Sequence, residues 1–178
     1  MLDVSKLDPI VLSVLKEHGW YEEREYDISD WLNVMSREGY VSFEYAEDIL
    51  KSLGGIYVNF DGGREYKSPQ FNFNPIYADG FFNLLSNFEA AAKEELYPIG
   101  EMVQAFAYVG KSKKIYWGAW REFHWIADSI EDYLNNLFDI NTKSKLLYIN
   151  PRADEELDAL NNAFKEIVRS KYPHLKIE

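Results

Sequence analysis

The hydrophobic period of the chain changes at Gly54-Gly55, which restricts it to folds that combine helices with strands. Before that pair, three apolar stripes at helical spacing are each closed by glycine. Asp8 and Pro9 open the first, Leu7 and Leu12 are placed as a staple across its start, and Gly19 stops it. The second carries Trp31, Leu32 and Met35 behind Asp27 or Ser29 as cap, and ends at Gly39. In the third, Ser42 caps a run whose Ala46, Ile49, Leu50 and Leu53 share one face.

Beyond the pair, apolar residues alternate. Ile56, Val58 and Phe60 predict a strand turned by Asp61-Gly62-Gly63, and Phe71 with Phe73 predicts a short strand near a sheet edge, bounded by Pro69 and Pro75. Helical spacing returns over residues 80–96, with Asp79 as cap. Leu96 to Glu101 then leads into a strand over Met102–Val109, joined through Gly110–Lys114 to Ile115–Trp120 as a hairpin. A strand at Phe123–Ile126 follows, then a helix to Phe138 capped by Asp128, with Glu131 three residues on. A strand at Leu146–Ile149 and a helix opened by Asn150 and Pro151 complete the chain. The packing face of that last helix is Leu157, Leu160, Phe164, Ile167 and Val168, and Pro173 lies past its end. With no repeat and no linker, this order reads as one α+β domain with an antiparallel-rich sheet.

Charge is the informative part of the composition. The chain carries thirty acids against nineteen bases, a net charge of −11. Residues 139–178 hold seven of each, so the excess lies in the first 138 residues, and residues 16–48 alone hold ten acids and three bases. Such a surface repels nucleic acid and membranes and steers a basic protein towards it. No apolar run approaches the ~20 residues that span a bilayer, and Met1–Asp8 lacks the basic and apolar regions of a signal peptide. The absence of cysteine removes disulfides, thiol nucleophiles and thiolate metal sites. The expectation is a cytoplasmic protein.

Catalytic signatures are missing. The chain has no P-loop, no Gly-x-Ser-x-Gly and no His-Glu-x-x-His, and Gly54-Gly55 follows a helix where a phosphate cradle would precede one. His18 falls at a helix C-terminus, favoured by the dipole; His174 lies in the tail; His124 points away from Phe123 and Trp125. They do not form a metal set, and no cofactor is expected. Glu22, Glu23, Glu25, Asp27 and Asp30 read as a solvated acidic face rather than an acid/base pair, and Arg24 among them either holds the segment against carboxylates or meets a partner. Lys111, Lys113, Lys114, Tyr116 and Trp117 read as a hairpin turn with lysines rather than a nucleic-acid stripe.

The order of these pieces resembles the third immunity-protein branch of the SUKH superfamily. The resemblance rests on Gly19-Trp20, Arg24, Trp31-Leu32, Glu38-Gly39-Tyr40, Leu53-Gly54-Gly55, Leu96-Tyr97-Pro98-Ile99-Gly100-Glu101 and Asp128–Leu134, over about residues 8–138. It implies a strongly bent, mainly antiparallel sheet flanked by helices, no catalytic residues and no cofactor. It also implies a bacterial protein that binds and neutralises a secreted polymorphic or contact-dependent toxin domain, often a nuclease. The alternative is a non-catalytic scaffold or regulatory module of the same superfamily. Residues 1–138 are expected to form the shared domain, with 139–178 an extension packed on it. Gly19, Trp20, Arg24, Trp31, Gly39, Gly54, Gly55, Pro98, Gly100 and Glu101 are expected to be structural. The expected toxin contacts are Glu22, Glu23, Glu25, Asp27, Asp30, Glu44, Glu47 and Asp48, chosen for their charge.

Overall fold

In the computed structural model, which describes residues 2–102 and 105–171, three short helices precede the sheet: α1 (Pro9–Glu17), α2 (Ser29–Glu38) and α3 (Glu44–Leu53). Asp8 accepts the Ile10 amide at 3.1 Å, and Pro9 occupies the first turn of α1. Gly39 ends α2 in the left-handed region at φ 109°, where a side chain is strained. Two expected caps differ. Ser42 turns its hydroxyl to the Glu47 carboxylate at 2.7 Å, so Phe43 stands at the cap of α3 without a side-chain bond. Asp27 accepts the Ser29 amide at 3.0 Å from one residue before the α2 cap, Ile28.

The sheet follows as β1 (Tyr57–Asn59), β2 (Gln70–Asn72), β3 (Leu96–Met102), β4 (Ala105–Gly110), β5 (Ile115–Gly118), β6 (Glu122–Ala127) and β7 (Lys145–Ile149). These seven strands lie side by side in chain order, every neighbouring pair antiparallel. The sequence predicts Leu96–Glu101 as a lead-in to a single strand over Met102–Val109. Instead it is β3, with Pro98 opposite Tyr108 and a register shift between Pro98 and Gly100. That bulge is what lets a proline, which cannot donate to the ladder, sit inside a sheet.

Helix α4 (Phe82–Ala92) is shorter than the 80–96 expected: Lys93 adopts φ 63° and stops it, while Asp79 closes a preceding 3-10 turn and does not cap α4. Helix α4 touches both β3 and β7. At about 4.8 Å per strand those two are some 19 Å apart along a flat sheet, whereas an eleven-residue helix is only about 16 Å long. With side-chain reach added at each end, the helix spans the sheet from β3 to β7. Phe88 fixes the centre, stacked on Phe123 at 4.5 Å and edge-on to Tyr108 and Tyr148. Further register shifts interrupt the ladder at Ile115/Tyr116 and Phe123/His124.

Other helices cover the sheet elsewhere: α3 packs on β3, α5 (Ile130–Phe138) on β6, and α1 on α5. The α5 cap is Ser129, which accepts the Asp132 amide at 3.1 Å, rather than Asp128. Glu131 turns inward, 6 % exposed, and accepts the Asp3 amide at 2.8 Å, tying the N-terminus to this helix. Past α5, β7 pairs with β6 and leads through Asn150, whose side chain accepts the Arg152 amide, into α6 (Ala153–Lys171). On α6, Leu157 is half-buried and Ile167 exposed; the side chains of Leu160, Phe164 and Val168, and all of Pro173 and His174, lie outside the described residues.

Candidate functional site

The acidic segment between α1 and α2 is held by Trp20, Arg24 and the Tyr26 amide, and its Glu22, Glu23 and Glu25 are exposed. Trp20 is buried and donates its indole N–H to the Ser52 hydroxyl at 3.3 Å. Tyr26 donates its amide to the Lys51 carbonyl at 2.8 Å. Between them, Arg24 donates to the carbonyls of Ser52 at 3.1 Å and Gly54 at 2.6 Å, with its guanidinium 5.0 Å from the Tyr26 ring. Arg24 thus holds the C-terminal end of α3, where carbonyls lack helical partners and the dipole favours a cation. These bonds go to carbonyls, whereas the sequence also allows the neighbouring carboxylates as partners.

Clamped in this way, the segment forms one wall of a hollow of about 170 Å³, lined by Glu22, Glu23, Arg24, Glu25, Asp48, Lys51 and Ser52. Four of the eight expected contact acids converge here. Glu22, Glu23 and Glu25 are exposed, and Asp48 on α3 is half-buried. The other four lie apart from the hollow. Asp27 and Asp30 stand at the start of α2, where the Ser29 hydroxyl and then its amide hold the Asp27 carboxyl below its usual range. Glu44 and Glu47 occupy the first turn of α3, Glu47 bound by Ser42.

Of the residues expected to be structural, Trp20, Gly54, Pro98 and Gly100 are buried, Arg24, Trp31 and Glu101 are half-buried, and Gly19, Gly39 and Gly55 are exposed. Gly54 is buried where a Cβ would run into the Leu50 carbonyl and the Trp31 ring, and Trp31 stacks on Tyr26 at 4.9 Å. Gly19 and Gly55 both have positive φ. Pro98 and Gly100 are buried in β3, and Glu101 accepts from Asn72 at 3.4 Å. Charge counting alone did not mark Tyr21 and Tyr26, which are 59 % and 37 % exposed in the same segment. Their signal was available as aromatics set among acids, since a tyrosine there adds apolar contact area to a charged rim.

Elsewhere the chemistry is thin. His18 is bound through Nδ1 to the Val14 carbonyl at 2.8 Å, at the end of α1. His124 lies between the Ser144 hydroxyl, 3.0 Å from Nδ1, and a Glu122 oxygen, 3.2 Å from Nε2. The Nε2 contact is a close approach without hydrogen-bond geometry, so the trio lacks the aligned bond that orients a base beside a nucleophile. Among the described residues no three of His, Asp and Glu are placed to hold a metal ion. The hairpin lysines are spread apart. Lys111 pairs with Glu95 at 2.7 Å, Lys113 lies over the Tyr45 ring, and Trp117 lines a different concavity. No described helix is long and apolar enough to cross a membrane.

Comparison with known families agrees with this frame: the family model described as SUKH-3 immunity protein matches residues 7–140. That span runs from the start of α1 through α5 and leaves β7 and α6 outside. No curated protein and no solved structure matches the chain.

Proposed function

The chain belongs to the SUKH-3 immunity protein family, and from that premise we propose that it protects its producer by masking a secreted toxin domain through the acidic hollow. The observation that carries this reading is the convergence of Glu22, Glu23, Glu25 and Asp48 on one hollow, beside exposed Tyr21 and Tyr26. Acids of this density accelerate encounter with a basic surface, and the tyrosines supply contact once docked. A nuclease whose cleft is basic to hold phosphates is the toxin class this surface fits best. Binding is non-covalent and uses no cofactor, and the place of action is the producer's cytoplasm. Residues 139–178 act as an extension of the same domain, a reading supported by the pairing of β7 with β6.

The test is a charge reversal at the three exposed positions, Glu22→Lys, Glu23→Lys and Glu25→Lys together, measured by stopped flow against a toxin domain encoded beside this gene. The association rate should fall about 10- to 1,000-fold at low salt, with most of the loss erased at high salt. An unchanged rate and unchanged protection of toxin-expressing cells would remove the hollow from the account.

A further inference from the structure

A second concavity, of about 490 Å³, is larger than the acidic hollow and has the opposite chemistry. Its apolar lining includes Met102 of β3, Trp117 of β5, Ile126 of β6 and Leu137 of α5. The volume falls within the range of pockets that take organic ligands, about 300–1,000 Å³. In a chain with thirty acids, no described lining residue is an acid, and the one charge among them is Lys67. Lys67 is fixed in place by its own amide, which donates to the Phe138 carbonyl at 2.8 Å.

Trp117 Nε1 and Thr142 Oγ1 are buried with no hydrogen-bond partner, whereas Trp20 and Trp125 each donate their indole N–H. An indole N–H can only donate, a hydroxyl donates readily, and an unpaired buried donor carries a standing desolvation cost. The complement to an apolar lining, one cation and two unspent donors is an apolar molecule bearing an anionic acceptor.

We propose that this groove binds a small amphipathic carboxylate, its aromatic or medium-length alkyl body on Met102, Trp117, Ile126 and Leu137 and its oxygens towards Lys67, Thr142 and the Trp117 indole. A cation of the same shape gains the apolar contact but meets Lys67 with like charge. Its donors would meet only neutral amide and hydroxyl oxygens of the lining, with no anion to match its charge. The site is separate from the acidic hollow, and the proposal stands whether or not the hollow binds a toxin.

The experiment titrates the full chain with 4-phenylbutyrate, 4-phenylbutanamide and 4-phenylbutylamine, following the indole N–H signals by ¹⁵N-edited NMR. Trp117→Phe assigns the Trp117 signal. The carboxylate should shift that signal saturably with a Kd below about 1 mM, and should bind at least about tenfold tighter than the amine. Lys67→Gln, at a loop position that leaves the Lys67 amide bond intact, should bring carboxylate and amide to equal affinity. This variant keeps the test open if Trp117→Phe does not fold. No saturable shift with the carboxylate, a shift confined to another indole, or equal binding of the amine would each overturn the proposal.

Discussion

Removing the Glu94 carboxylate should loosen the central hairpin by an amount the structure lets one work out. Glu94 follows the left-handed Lys93 that ends α4, and it reaches across to the β4–β5 turn. There it accepts from the Ser112 amide at 2.7 Å, the Ser112 hydroxyl at 2.8 Å and the Tyr116 hydroxyl at 2.5 Å. Ser112 is exposed, so in Glu94→Ala water replaces the lost carboxylate at both of its donors, and each bond costs about 0.5–1 kcal/mol. Tyr116 is 3 % exposed and would keep a buried hydroxyl with no acceptor, a penalty of about 1–3 kcal/mol. The whole loss should be about 2–5 kcal/mol, read from urea unfolding followed by far-ultraviolet circular dichroism.

A double-mutant cycle isolates the buried part. Tyr116→Phe should cost about 1 kcal/mol in the parent and nothing, or a gain, in the Glu94→Ala background. Gly110→Ala offers an independent route, because its Cβ would fall on the anchored Glu94 carboxylate and should reproduce part of the same loss. If Glu94→Ala cost less than about 0.5 kcal/mol, or the cycle were additive, the carboxylate would not be the tie between α4 and the hairpin.

Three other outcomes follow from equally local features. Phe88→Ala empties the position stacked on Phe123 and edge-on to Tyr108 and Tyr148, and should cost about 3–5 kcal/mol in the same unfolding assay. Arg24→Ala should cost about 1–3 kcal/mol by freeing the carbonyls of Ser52 and Gly54, and Arg24→Lys should recover only part, since one ammonium lacks the fork that spans both. Burial raises the tyrosine hydroxyls of the core, Tyr97 to about 12 and Tyr108 and Tyr133 further. The unfolded chain releases these protons near pH 10 while the fold retains them, so their contribution is complete below about pH 10 and is lost as pH rises through the folded values. Urea midpoints measured from pH 8 to 12 should be flat and then fall; a midpoint that rises above pH 10 would refute this.

Much of the architecture was legible because each early helix carries its own stop. Gly19, Gly39 and Gly54 each fall within two residues of the end of a helix, and the period change at Gly54-Gly55 marks where helices give way to strands. The strand at Leu96–Met102 was less legible, because Pro98 and Gly100 both argue against a sheet interior and only the bulge reconciles them. The α5 cap stands one residue later than expected, and at α3 Ser42 donates its hydroxyl to Glu47 instead of accepting a helix amide. At the hollow, charge counting found the acids but not which of them meet. Glu25 and Asp48 are twenty-three positions apart and join one hollow only because Arg24 and Tyr26 fasten the loop to the end of α3. The groove left no sequence signal, since its lining comes from β2, β3, β5, β6 and α5 and the turns between them.

The most direct test of the masking account is a titration of a toxin domain encoded beside this gene with the purified chain, reading residual toxin activity. The account predicts activity falling linearly to zero at one chain per toxin, with a Kd of about 10 nM or tighter. It also predicts that activity returns when the complex is dissociated in high salt. Loss of activity at far below one equivalent would mean the chain modifies its target catalytically, and full activity with the chain in excess would mean it does not neutralise that toxin by masking.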